Sequence, residues 1–198
     1  MINENQVWDL GSGYSIRVMS KEEFWPLFRQ HSARIFDEQS PIFRVREALS
    51  EGERDRLQAL GQHCGSPLEF RLGLFHGNDF IGWNYSRQES AFTLYMQNSA
   101  VFAEHRRKGL YTALAQKMVE IGREQGFQTI YSRHTATNND VIIAKLKLGF
   151  RITSLEMSDI FGVLVHLSYF PNELRHRVLD FRAGQTRPDD EIKHLLKL

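Results

Sequence analysis

The stretch Val101-Phe-Ala-Glu-His-Arg-Arg-Lys-Gly-Leu-Tyr111 constrains this chain most, because an apolar strand there gives way to a basic loop and then to a helix. The helix is marked by Leu110, Leu114, Met118 and Ile121, spaced so that they share one face. Arg106, Arg107, Lys108 and Gly109 stand immediately before it. The first turn of a helix carries N–H groups with no intrahelical acceptor and the positive end of the helix dipole, so it takes anions readily. A glycine at the turn lets the backbone approach a ligand with no Cβ in the way. These residues have the chemistry of a phosphate cradle at a strand–loop–helix junction. A solvated basic loop turned by one glycine has the same composition, so this segment alone leaves both readings open. Two common nucleotide-binding loops are absent. There is no G-x-x-x-x-G-K-[ST], and Gly11-Ser-Gly13 runs on to Tyr14-Ser15-Ile16 instead of a third glycine.

A second segment decides between them. Ser132-Arg-His-Thr-Ala-Thr-Asn138-Asn-Asp-Val-Ile-Ile-Ala144-Lys-Leu-Lys-Leu-Gly149-Phe150 lies downstream. With both segments the chain resembles the GNAT superfamily of acetyl-coenzyme A-dependent N-acetyltransferases. Arg106-Arg-Lys-Gly109-Leu-Tyr111 follows that family's Arg/Gln-x-x-Gly-x-Gly/Ala loop except at its last position. Asn138, Ala144 and Gly149-Phe150 follow its next motif in order and spacing. The resemblance runs from Leu68 to about Tyr169, and more loosely over the N-terminal part.

The resemblance implies an α/β fold with a mixed, mostly antiparallel central sheet of about six to seven strands and helices on both faces. It also implies acetyl-CoA as cosubstrate, while the eight histidines, scattered without metal-ligand spacing, argue against a metal site. The Val101–Ala103 backbone would pair with the pantetheine arm between splayed strands. Amides from Arg107 to Thr112, including those of Lys108, Gly109, Leu110 and Tyr111, would hold the pyrophosphate beside Arg106, and Asn138 would bond the arm. Three departures stand out. Tyr111 replaces a small residue, which the cradle tolerates if the ring points away from the phosphates. The usual catalytic Tyr, five residues before the Phe of Gly-Phe, is Lys145 here. That lysine can donate a proton, but its place in mid-helix beside a second lysine also reads as a solvated face. The strand Thr93-Leu-Tyr-Met-Gln-Asn-Ser99 lacks the family's frequent carboxylate. The base could then be His134, with an ordinary value near ~6.5, or water beside Tyr95 or Gln97.

Composition limits the rest. The 198 residues suit one domain over 1–170 and a helical extension over 171–198, packed on the domain or on a partner subunit, and a homodimer is compatible with this. A net charge of +1 argues against a general nucleic-acid binder. Cys64 is the sole cysteine, so no internal disulfide forms, and its thiol reads as buried or idle. The apolar run Ile160 to Phe170 is too short to span a bilayer and contains His166. With no leader-like N-terminus, the expected location is cytoplasmic.

The element pattern begins with a strand at Tyr14–Met19 and a capping box, Ser20-Lys-Glu-Glu23, opening a helix with Phe24, Trp25, Leu27 and Phe28. A second helix is expected from about Phe43 to His63. Strands follow at Leu68–Leu74, Phe80–Arg87, Ala91–Val101, Thr129–Arg133, Arg151–Met157 and Val163–Tyr169. Helices at Leu110–Gln125 and Asp140–Leu148 both end on Gly-Phe or its equivalent, and two more are expected in the tail. Trp25, Phe28, Phe36 and Phe43 with Trp83 and Tyr85 would line an aromatic acceptor pocket, where Asp37 or Glu38 could meet a cationic amine. The functional expectation is acetyl transfer to a primary amine of a small molecule. A non-catalytic CoA-binding or partner-binding domain, a longer acyl donor and a protein N-terminus as acceptor stay open.

Overall fold

The computed structural model of the chain describes residues 6–36, 49–61 and 64–198. Eight strands form one sheet: β1 Val7–Gly11, β2 Tyr14–Val18, β3 Glu69–His76, β4 Asp79–Gln88, β5 Thr93–Val101, β6 Thr129–Thr135, β7 Arg151–Ser158 and β8 Gly162–Tyr169. Their order is β1-β2-β3-β4-β5-β6-β8-β7. Every neighbouring pair is antiparallel except β5 and β6. The sheet has one strand more than expected. The addition is β1, a five-residue edge strand that pairs only with β2 and is too short and half-exposed for a clear alternation.

The helices among the described residues are α1 Lys21–Phe36, α2 Glu51–Gly61, α3 Leu110–Glu124, α4 Asn139–Lys147, α5 Glu173–Arg182 and α6 Asp190–Leu196. The helix expected over 43–63 starts at Glu51 as far as the described residues show, and 37–48 lie outside them. The capping box forms as read: Glu23 N–H donates to Ser20 Oγ at 3.2 Å, and Ser20 N–H to Glu23 Oε2 at 3.1 Å. Helix α3 stops at Gly126, where a φ of 90° suits glycine, and Phe127 N–H returns to the Gly122 carbonyl. Gly149 and Phe150 close α4 in the same way, and both phenylalanines are buried.

Two apolar clusters flank the sheet. The larger joins Ile16, Leu72, Leu94, Ile130 and Leu167 to Leu110, Leu114, Met118 and Ile121 of α3. Each fully buried aliphatic side chain there contributes roughly 1.5–3 kcal/mol. The smaller sits on the opposite face, where Phe24 of α1 packs with Trp83 and Tyr85 of β4. Helices α5 and α6 return to the body of the protein. Arg151 Nε pairs with Asp180 at 2.9 Å, the Arg175 guanidinium donates to the Gln128 carbonyl, and Ile192 is buried.

Candidate active site

The sheet opens at its centre. Strands β5 and β6 pair only through Thr93, Leu94 and Tyr95 against Thr129, Ile130 and Tyr131. Beyond Tyr95 the register of β5 on β4 also slips, because Ser86 faces Met96 and Tyr85 faces Asn98, leaving Gln97 as the extra residue of a bulge. A wedge-shaped gap therefore separates the C-terminal halves of β5 and β6. One edge of the gap is Met96 to Val101 and the other is Ser132 to Thr135.

The expected cradle lies at the wide end. Gly109 is the N-cap of α3 with φ 76° and no side-chain cap, and a Cβ there would meet nothing within 4 Å. Arg107 is also left-handed, at φ 61°. The three cations do not converge on the cradle as the sequence suggested. Arg106 Nε donates to the Val101 carbonyl at 2.9 Å and ties the loop to the strand end. Lys108 Nζ reaches Tyr14 Oη at 2.9 Å, within a cluster that also holds His76 and His105. Arg107 is exposed and makes the loop's bend. Ala103 lies in a 3-10 turn, Ala103–His105, so strand β5 ends at Val101 and the extended pairing edge stops there. Leu110 is buried in the core, Thr112 is half-buried on the first turn, and Tyr111 packs against the larger apolar cluster. Asn138 is the N-cap of α4, and its side chain makes no capping bond.

Lys145 is where the structure departs furthest from the sequence reading. It is 1% exposed instead of solvated. Its Nζ donates to Met96 Sδ at 3.1 Å and lies 4.4 Å from the Phe150 ring centre. The amine thus sits where β5 first leaves β6. Burial disfavours the charged form and brings its pKa down to about 7. His134 lies on the β6 side, half-buried, with Nε2 2.9 Å from Ser132 Oγ. Burial first, and then the charge of Lys145, lower it to about 3, so the imidazole is neutral near pH 7. Through Met96 and this shared field the structure brings Lys145 and His134 to the gap.

The other face of the sheet carries groups the sequence did not single out. Arg133 donates from Nη2 to Tyr95 Oη at 3.1 Å and from Nη1 to Glu156 at 3.2 Å. His166 Nε2 lies 2.6 Å from Glu156 Oε2, and the His166 and Arg133 contacts hold that carboxyl below its ordinary value. Tyr131 stacks between Tyr95 and His166. A signal existed for one of them: His166 is a polar interruption of the apolar strand Gly162–Tyr169, and cross-strand pairing sets Arg133 opposite it. Nearby, Tyr85 Oη donates to Glu69 at 2.9 Å, and burial followed by that bond pushes the phenol up to about 12. The aromatic wall is present as Trp25 on Tyr85 at 5.0 Å and Phe28 on Trp83 at 5.4 Å. Trp83 is wholly buried, so it supports the wall from behind. Phe43, Asp37 and Glu38 lie outside the described residues, as does the side chain of Phe36. Cys64, read as buried or idle, is exposed. No helix among the described residues is long and apolar enough to cross a membrane.

Known proteins share this architecture. The ribosomal-protein-S5-alanine acetyltransferase of Vibrio fischeri superposes with a TM-score of 0.62 at 14% identity, over 85% of this chain and 98% of that one. The yncA protein of Salmonella typhimurium, solved with its cofactor acetyl-CoA, gives 0.59 at 15% identity, over 82% and 96%. The IAA acetyltransferase of Bacillus cereus gives 0.57 at 16% identity, over 79% and 99%. No curated protein matches the sequence itself. The sequence profile of the Acetyltransferase (GNAT) family matches residues 32–150, well over half of the chain and the span that includes both β5–loop–α3 and α4. The protein therefore belongs to the GNAT family of acetyltransferases.

Proposed function

We propose that the chain transfers an acetyl group from acetyl-CoA to a primary amine of a small molecule. One observation carries the reading: the gap between β5 and β6 opens toward a helix start whose left-handed Gly109 leaves the first-turn amides uncovered. A pantetheine arm fits a strand-like slot, and a pyrophosphate fits those amides. The bound acetyl-CoA of the Salmonella typhimurium neighbour supports the choice of cosubstrate. Acetyl-CoA, when bound, would supply the thioester that the amine attacks. Main-chain N–H groups from Arg107 to Thr112 would hold its pyrophosphate, with Val101 and Asn138 along the arm.

The protein's own groups divide the proton work. Lys145 holds a proton at Nζ for the departing sulfur, and a value of about 7 lets it give and regain that proton near neutral pH. His134 stays neutral and fixes Ser132 on the far wall of the gap, so Lys145 is the titrating member of the pair. The amine enters from the opposite face, past Tyr85 and Trp25, and sheds its proton toward the Arg133–Glu156–His166 side.

The test is steady-state thiol release over a panel of small amines, with peptide N-termini included as competing acceptors. Amine-dependent release is expected, and Lys145→Met should lower kcat ~10²-fold with acetyl-CoA affinity nearly kept. A Lys145→Met enzyme turning over at the wild-type rate would remove the proposed acid. Tight CoA binding without turnover on any acceptor would favour a non-catalytic CoA-binding domain.

A further inference from the structure

Strand β7 is an unprotected sheet edge. It pairs with β8 on one side and, among the described residues, with no strand on the other. An edge strand carries a row of free N–H and C=O groups, which soluble proteins blunt with Lys, Pro or a bulge. The register of β7 on β8 slips at Thr153, but the run Ser154-Leu-Glu-Met-Ser158 that follows is regular and contains neither Lys nor Pro. Its one charged residue, Glu156, is held on the other face of the sheet by Arg133 and His166.

The helix-side face of the same hairpin is apolar and bare. Pairing sets Ile152 opposite Leu167, Leu155 opposite Val165 and Met157 opposite Val163, so these six side chains share one face. Val165 and Leu167 are buried in the larger apolar cluster. Toward the edge that cover ends. Leu155 is 70% and Met157 80% exposed, and Ile152, Val163 and Phe161 at the hairpin turn are exposed with them. Single exposed apolar residues are ordinary, but a strip of them beside an open sheet edge marks an interface.

We infer that β7 is a dimer interface, at which a second copy of this chain lays its own β7 antiparallel to the first across a two-fold axis at Glu156. A two-fold axis brings residue i of one copy to j of the other and j to i. Leu155 then faces Met157 of the second copy, Met157 faces its Leu155, and Phe161 comes level with its Ile152. The two Glu156 carboxylates oppose each other, a repulsion that Arg133 and His166 of each copy offset. The six paired residues carry no charge that a charged partner could read, whereas the strip is complementary to itself. Its size also fits a second copy. Burying the five exposed side chains of each copy removes roughly 1,000 Å² from water, the size at which specific interfaces begin. The inference does not depend on the reading of the β5–β6 gap.

The test is sedimentation velocity of the full chain over roughly 1–200 µM, since an interface of this size implies micromolar association. The wild type should pass from monomer to dimer across that range. Leu155→Lys/Met157→Lys, which places charge on the strip, should stay monomeric, with a circular dichroism spectrum like that of the wild type. Leu195→Lys, at another exposed leucine on α6, should dimerise normally. Hydrogen exchange of the unaltered protein reads the edge directly: amides within Ser154–Ser158 should exchange at least tenfold more slowly at the high end of the range than at the low end. A wild type that stays monomeric overturns the inference. So does a dimer that survives the double substitution, or exchange in β7 that does not change with concentration.

Discussion

Lys145 sits in a helix whose amphipathic order is inverted locally. Ile143 and Leu146 are exposed while the lysine between them is buried, so Lys-Leu-Lys reads as a solvated face from sequence and behaves as the reverse. Helix α4 is only nine residues long, and its rotation is set by the Gly149-Phe150 stop and by what the gap needs, not by its own periodicity. Burying a lysine whose pKa falls from 10.5 to about 7 means that the folded state binds fewer protons than the unfolded state between those values. Stability therefore rises with pH across that window and carries the full penalty below it. Replacing Lys145 by methionine, of similar length and uncharged, should raise the unfolding free energy by about 2–3 kcal/mol at pH 7. Urea melts of both proteins check this, and the gap between them should shrink toward pH 10. A destabilised Lys145→Met at pH 7 would mean that the amine's bond to Met96 outweighs its burial.

The loop between β5 and α3 makes its bend with two left-handed residues, and they differ in what they need. Gly109, at φ 76°, faces open space, so a side chain would not collide with protein there. A β-branched residue would instead strain the backbone and project into the ligand's ground. Gly109→Val should cost about 1–2 kcal/mol of stability and weaken CoA binding well beyond Arg107→Ala. Arg107 is a non-glycine at φ 61°, so Arg107→Gly should be neutral or stabilising by up to about 1 kcal/mol. Calorimetry with CoA alongside thermal melts of the three variants separates strain from ligand contact. On the other face, Glu156 ties β7 to β6 and β8 through Arg133 and His166. Glu156→Gln should raise the KM for the amine while leaving acetyl-CoA affinity unchanged, since the helix face of the sheet is untouched.

Taken as a whole, the molecule couples its site to one topological fact. Among the described residues the β5–α3–β6 crossover makes the only parallel pair in an otherwise antiparallel sheet, and that pair comes apart after three residues. Buried Lys145 and half-buried His134, whose pKa values burial lowers, both sit at the resulting wedge. His134 falls from 6.5 to about 3, so in acid the unfolded state takes the proton first and stability drops as pH falls below about 6.5. His134→Gln should flatten the stability curve between pH 4 and 6.5 and leave the rise above pH 7, which belongs to Lys145. Unfolding midpoints at pH 5, 7 and 9 would show it, and an unchanged acid limb would assign that limb to the carboxylates. The sequence by itself determined the local units. Alternation marked strands such as Tyr14–Met19 and Leu68–Leu74, the Ser20–Glu23 box and the Gly-Phe stops set helix ends, and Arg106, Gly109, Asn138 and Gly149 carried the family resemblance. Those are interactions between residues close along the chain, and such residues carry their own signal. Tertiary structure alone decided that Lys145 is buried, that Arg106 and Lys108 turn to Val101 and Tyr14, that the Tyr111 ring packs on the core, and that Arg133, Glu156 and His166 meet. Each of those depends on strands distant in sequence becoming neighbours, and on helix rotations fixed by packing against them. No local pattern encodes such positions.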